Sequence, residues 1–286
     1  MYKINENITV SKTISPNRVQ RFVKVPKEII LAKELPEHRT SLFLYFNYNQ
    51  TWDEMVHYSP LYMIHWSGYK TSWSRSNKNN IYVKFKTCMQ WYFENGYIID
   101  FDEDKFIQST FQSSFLNKEK INPSNNFGIL YDFEINTINK FDSPYKPLNK
   151  SVLLSLLSYI RAFTWVRSNE VSGHSNKSQK EKPEIFHSQF QTMEYFTGIP
   201  YKLISRSVSV LEDMGLIKTY RMPRYKDSTG NWRTDDIIFV CPYKYILRDG
   251  QIIKCSNQEY DSEKELLNGI EFVKNQKYSS KKFYQD

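Results

Sequence analysis

Glycine and cysteine are scarce in this sequence, nine and three residues among 286. With so few glycines, neither G-x-x-x-x-G-K nor G-x-G-x-x-G occurs, and a glycine-rich phosphate loop is excluded. Cys88, Cys241 and Cys255 are too few and too scattered for a disulfide framework or a zinc site, so a reducing, cytoplasmic setting is expected. No apolar run reaches the roughly 18 residues of a membrane-spanning helix, so no membrane partner is expected. Residues 1–13 are polar and lack the apolar core of a secretory leader. The five histidines (His38, His57, His65, His174, His187) show no metal-ligand spacing, and H-E-x-x-H is absent. The acidic run Asp100–Asp104 lacks the glycine and spaced ligands of a calcium loop and reads as a solvated turn. No Ser/His/Asp or Cys/His set assembles from spacing. The expectation is a protein without catalytic activity, metal or cofactor.

What is present is material for packed cores. Hydrophobic residues make up 40% of the chain and aromatics 16%, and the length suggests about two domains. The formal charge of +8 is unevenly spread. Residues 70–90 carry Lys70, Arg75, Lys78, Lys84 and Lys86 with no acid. Residues 200–233 carry Lys202, Arg206, Lys218, Arg221, Arg224, Lys226 and Arg233 against Glu212, Asp213 and Asp227. These two windows account for the whole excess and leave the remainder close to neutral. Concentrated basic charge is the footprint of a polyanion binder.

The second window lies in the clearest local pattern. Phe190, Met193 and Phe196 stand at helical spacing, and Gly198-Ile199-Pro200 ends that helix and starts another. Ile204, Val208 and Leu211 mark the buried stripe of a helix over Tyr201–Met214, and Gly215 is its stop. Leu216–Met222 and Trp232–Val240 read as strands around a turn at 227–231. The apolar segment Ser151–Val166 supplies an earlier helix, followed by a polar insertion at 167–184. Residues 262–274 form an amphipathic helix through Leu266, Ile270 and Val273.

A similar pattern occurs earlier, 119 residues upstream when Gly96 is aligned with Gly215. Phe85, Met89 and Tyr92 then take the places of Ile204, Val208 and Leu211. The preceding helix is expected from Thr51 or Trp52 to His65, with Arg39–Asn47 as a first helix. Tyr97–Phe101 or Ile107–Phe111 is expected to pair with Phe127–Phe133. Two prolines near Asn139–Pro147 suggest the boundary. The expected division is a polar arm at 1–21, one domain at 22–140, a second at 141–247 and an extension at 248–286.

Helix, short glycine turn, helix and two-stranded hairpin resemble the winged helix-turn-helix domain. The resemblance is carried by Gly198-Ile199-Pro200, by Ile204–Ile217 with its Leu-Glu-Asp-Met-Gly-Leu-Ile ending, and by the hairpin after it. It implies an α+β, mainly helical fold with two winged helix-turn-helix domains in tandem. Such tandem units resemble plasmid and phage replication initiators and DnaD-like replisome organisers. The resemblance implies sequence-specific binding of double-stranded DNA by a replication initiator of a plasmid or phage. Its other partners would be a second copy in a homodimer and replisome proteins. A transcriptional regulator of a mobile element and a protein-interaction module remain alternatives, since fold does not dictate function.

Helical rotation selects the contact residues. With Ile204, Val208 and Leu211 buried, Lys202, Arg206 and Ser209 face outward, flanked by Tyr201 and Ser205. These side chains suit base edges and phosphates. Arg221, Arg224, Lys226 and Arg233 lie on the hairpin. In the first copy the same rotation turns Thr87 outward with Val83 and Gln90. Lys84 and Lys86 flank that face as phosphate contacts, and Arg75 and Lys78 lie in the segment before it.

Overall fold

A computed structural model describes residues 21–278 apart from 70–79, 144, 146, 167–181, 224, 227–231, 234–235 and 249–250. The fold is α+β, about half helical, with several small antiparallel sheets. The chain forms two compact units. The first holds residues 22–162 together with 195–203, and the second the described residues of 163–194 and 204–278.

The first unit opens with β1 (Phe22–Pro26) and the short α1 (Lys27–Ile30). α2 (Arg39–Asn49) follows, its residues 39–46 all buried. β2 (Met55–Tyr58) then leads into α3 (Pro60–Trp66), and α4 covers Ile81–Glu94. α5 (Glu103–Ile107), β3 (Gln112–Phe115), α6 (Lys118–Ile121), β4 (Phe127–Tyr131), α7 (Asp132–Asn139) and α8 (Lys150–Phe163) complete this stretch. β1 pairs with β4, and β2 with β3, both antiparallel. Ile98 bridges to Leu116, just beyond β3. α8 joins this unit up to Ala162. Ser151 and Ser155 on α8 hydrogen-bond Ser41 and Thr40 on α2 at 2.7 and 3.0 Å.

Two expectations for this region are corrected. The helix expected from Thr51 or Trp52 to His65 begins only at Pro60, and Met55–Tyr58 is a strand. Val56 and Tyr58 are fully buried while His57 between them is exposed, a period of two that suits a strand. Ser59 caps α3 by accepting the Tyr62 amide, and Pro60 occupies the first turn, where its missing N–H is harmless. Secondly, Phe127–Tyr131 pairs with Phe22–Pro26 and not with a strand after α4. Ile107 ends a helix capped by Asp102, with Glu103 and Asp104 in its first turn. The acidic run therefore sits at a helix N-terminus, where negative charge is favourable.

β5 (Ile185–Ser188) of the second unit is followed by α9 (Phe190–Thr197) and α10 (Tyr201–Asp213), of which residues 195–203 are grouped with the first unit. β6 (Lys218–Arg221), β7 (Tyr225–Lys226), β8 (Trp232–Arg233) and β9 (Ile237–Val240) come next. β9 is central, with β5 and β6 antiparallel on either side, and β7 pairs with β8. A hairpin of β10 (Tyr245–Arg248) and β11 (Gln251–Lys254) precedes α11 (Ser262–Tyr278). α11 packs Val273, Leu266 and Ile270 against Ile185, Met222, Ile238 and Val240. Gly269 is needed there, since a Cβ would lie 2.9 Å from the Ile185 side chain.

The aligned glycines end their helices in the same way. Gly96 and Gly215 have φ of 67° and 68°. Gly96 N–H donates to Phe93 O and Tyr97 N–H to Tyr92 O; Gly215 N–H donates to Glu212 O and Leu216 N–H to Leu211 O. Both sets close the last turn of a helix around a left-handed residue that glycine adopts without a Cβ penalty.

Candidate nucleic-acid interface

Helix α10 carries the basic face expected of it. Ile204, Val208 and Leu211 are buried to 1% exposure or less. Lys202, Arg206 and Ser209 are exposed, as is Tyr201, and Ser205 is half-buried. Ser209 Oγ donates to the Ser205 carbonyl at 3.3 Å, a bond along the helix that leaves the hydroxyl oxygen outward. Lys202 takes part in no ion pair among the described residues.

The turn before α10 is fixed from below. Arg39 on α2 is buried, and its Nη2 donates to the Thr197 carbonyl at 2.8 Å. Its remaining N–H groups go to carbonyls of Ile29, Ile30, Leu35 and Pro36. Gly198 has φ of 71°, and a Cβ there would lie 2.7 Å from the Lys33 carbonyl oxygen. Sequence reasoning missed Arg39, because its partners are carbonyls that only the tertiary fold assembles.

The strand after α10 brings one further site residue into description. Arg221 ends β6, is exposed, and lies with its guanidinium 5.7 Å from the Phe190 ring. Lys226 and Arg233 sit on the paired strands β7 and β8. Arg224 lies outside the described residues, as do Arg75 and Lys78. On β5 and beside β9, His187 Nδ1 lies 2.7 Å from the buried Asp236 carboxylate.

The other helix expected to carry a basic face, α4, differs electrostatically. Phe85, Met89 and Tyr92 are fully buried, and Thr87 and Gln90 are exposed. Lys84 pairs with Glu37 at 2.9 Å and Lys86 with Glu103 at 2.6 Å. Both lysines are half-buried, and Thr87 Oγ1 donates to the Val83 carbonyl. The cations of this face are thus already matched by acids that lie outside the basic window in sequence.

Beside α4, residues of the 34–39 loop, Tyr69, Lys84, Asn149 and the 197–200 turn line an open cleft of about 950 Å³. His38 lies there between Tyr69 and Phe85, with ring centroids 5.1 and 5.5 Å away. Burial lowers its pKa to about 4, so the imidazole is neutral near pH 7. Cys88 is buried, which pushes its thiol up to about 12 and makes it a poor nucleophile. Among the described residues no cluster of three or more His, Cys, Asp or Glu is placed to hold a metal ion. No described helix is long and apolar enough to cross a membrane. No protein-family model matches the chain, and no curated protein matches it significantly.

Proposed function

We propose that this protein binds double-stranded DNA sequence-specifically through a winged helix-turn-helix element, with α10 as the reading helix and β6 to β9 as the wing. The single observation that carries the reading is the α10 face: Lys202, Arg206 and Ser209 exposed opposite a fully buried Ile204, Val208 and Leu211. An exposed basic stripe on the second of two helices joined by a tight turn suits the major groove, where Arg and Lys recognise guanine. Support also comes from the order helix, strand, helix, helix, strand, strand, with the sheet order β5-β9-β6. The segment from α2 to β3 repeats that order: α2, β2, α3, α4, the bridge at Ile98, and β3.

The reading extends to a replication initiator of a plasmid or phage, with the two copies dividing the work. The paired state of Lys84 and Lys86 favours assembly over DNA reading for the first copy. Exposed Ile99, Phe111 and Phe115 on and beside its strands point the same way. A transcriptional regulator would use the same helix. An origin-less plasmid carrying the gene and its flanking DNA decides between them: autonomous replication supports the initiator, and repression of a reporter without replication supports the regulator.

DNA binding itself is tested by gel shift with selected and random duplexes over a salt series. Affinity should fall steeply with salt, as counterion release requires. Lys202→Ala with Arg206→Ala should weaken binding at least tenfold, since each good base contact is worth about 1–3 kcal/mol. A smaller loss, or salt-independent binding, sinks the reading.

A further inference from the structure

We propose a second activity: the turn between α9 and α10 is a stacking platform for unpaired bases, through which the protein binds single-stranded nucleic acid. Three large aromatic side chains crowd this turn and stay in solvent. Tyr195 is 65% exposed, Phe196 40% and Tyr201 42%. Of the aliphatic side chains beside them, Met193 and Ile199 are buried, Leu203 is half-buried and Pro200 is exposed. Exposed aromatic rings interleaved with lysines suit nucleobases, each of which offers a π-face.

The rings are held in place before any ligand arrives. Tyr195 and Phe196 meet edge to face, with centroids 5.2 Å apart and planes at 82°, a contact that fixes both rings and occupies one face of only one of them. Lys33 Nζ stands 4.3 Å from the Tyr195 ring centroid, within cation–π range. Gly198 packs on the Lys33 carbonyl, and Arg39 holds the Thr197 carbonyl, so the backbone between the aromatics is anchored. A preset platform of this kind spends little ordering entropy on binding.

Charge supports the same occupant. Lys33 and Lys202 are exposed and outside any ion pair among the described residues. The N-terminus of the 13-residue α10 adds partial positive charge beside Tyr201. Glu34 and Glu194 adjoin Lys33 and Tyr195 in sequence. The platform should therefore bind mainly by stacking, with a shallower salt dependence than the duplex interaction.

The test is fluorescence anisotropy with end-labelled oligothymidylate of about twelve nucleotides, a length within the usual site size. A companion oligonucleotide carries a single 2-aminopurine, whose emission is quenched by stacking. The wild-type protein should bind at micromolar concentration and quench the reporter. Tyr195→Ala with Phe196→Ala should weaken binding at least about tenfold and abolish the quench. Tyr195→Trp with Phe196→Trp should restore both, which a merely structural role would not. Duplex affinity, measured in parallel, should stay within twofold for all these variants. Arg206→Ala, at a residue outside the platform, reports on the duplex reading separately, so either idea can fail alone. The proposal is overturned if the wild type does not bind oligothymidylate, or if the double alanine variant binds it as well as wild type. It is equally overturned if the aromatics prove to hold a dimer together while single-strand affinity is unchanged.

Discussion

Removing the Arg39 guanidinium should unfold much of the first unit, for a reason specific to its partners. The group is a buried cation with no carboxylate within bonding distance among the described residues. Nε donates to Ile29 O at 2.9 Å, Nη1 to Leu35 O at 2.9 Å and Pro36 O at 3.4 Å, and Nη2 to Ile30 O at 3.1 Å and Thr197 O at 2.8 Å. Burial depresses its pKa, which measures the desolvation those bonds must offset. A lysine offers three donors on one atom and cannot span carbonyls spread around a planar fork. Arg39→Lys therefore gives up at least two of these bonds, at roughly 1–3 kcal/mol each, while a charge stays buried. The expected loss is about 3–5 kcal/mol, the range for breaking a buried charged contact. That is a large fraction of a typical domain's roughly 5–15 kcal/mol. Arg39→Met removes the buried charge together with all of these guanidinium bonds, while Ile29 O and Pro36 O keep the backbone amides of Ala32 and residue 39. Urea denaturation followed by circular dichroism measures both variants. Hydrogen exchange across residues 195–203 adds a local readout, since loss of the Thr197 bond should raise exchange there before global unfolding. If the charge itself were the dominant burden, Arg39→Met would match or exceed wild-type stability. That result, or an Arg39→Lys loss under about 1 kcal/mol, would refute the account.

Three shorter predictions follow from the same unit and its counterpart. His38 is neutral in the folded state down to about pH 4, whereas an unfolded histidine protonates near 6.5. Its contribution is therefore full above pH 6.5 and is lost as pH falls from there toward 4, up to about 3 kcal/mol. His38→Phe should flatten the dependence of the urea midpoint on pH across that window, and an unchanged slope counts against it. Gly198→Ala and Gly215→Ala both force a left-handed alanine, but only the first drives a Cβ to within 2.7 Å of a carbonyl oxygen. Gly215→Ala should cost about 1 kcal/mol and Gly198→Ala clearly more, read as melting temperatures. Lys84→Ala with Lys86→Ala should change duplex affinity less than threefold, against tenfold or more for the α10 pair; equal losses would assign DNA reading to both copies.

Legibility in the sequence tracked how local each signal is. The stripe of α10 and the stop at Gly215 lie within a few residues, and the burial of Ile204, Val208 and Leu211 follows them. The same holds for Gly96 and for α11 through Val273. The four-residue strands β2 and β5 were not legible. Each presents at most two alternations before a helix begins, and beside β2 the acidic Asp53-Glu54 imitates a helix start. Glu54 instead adopts φ of 64° in a turn. The partner of β4 is β1, about a hundred residues away, and no spacing rule encodes that pairing. Arg39 reads as an unfavourable cation at the start of a helix, and its role emerges only when five separate carbonyls converge on it.

Charge shows most directly why a window read along the chain differs from a surface. The 70–90 window carries no acid, yet Lys84 and Lys86 are answered by Glu37 and Glu103 from other elements. At such distances each carboxylate cancels most of the field its lysine would project at a phosphate several ångströms further out. In the 200–233 window Lys218 is matched in the same way, by Glu263 on α11. Lys202 keeps its charge unanswered by any described acid, and Arg221 lies over a ring, which leaves its net charge intact. Two segments of similar composition thus present different potentials, and the difference comes from residues 17 and 47 positions distant in one case and 45 in the other. An anion approaching α10 would meet an uncompensated cation, and one approaching α4 compensated ones. For this reason the preference for α10 over α4 in the proposed DNA reading rests on pairing in three dimensions, which the similarity of the two segments in sequence does not reveal.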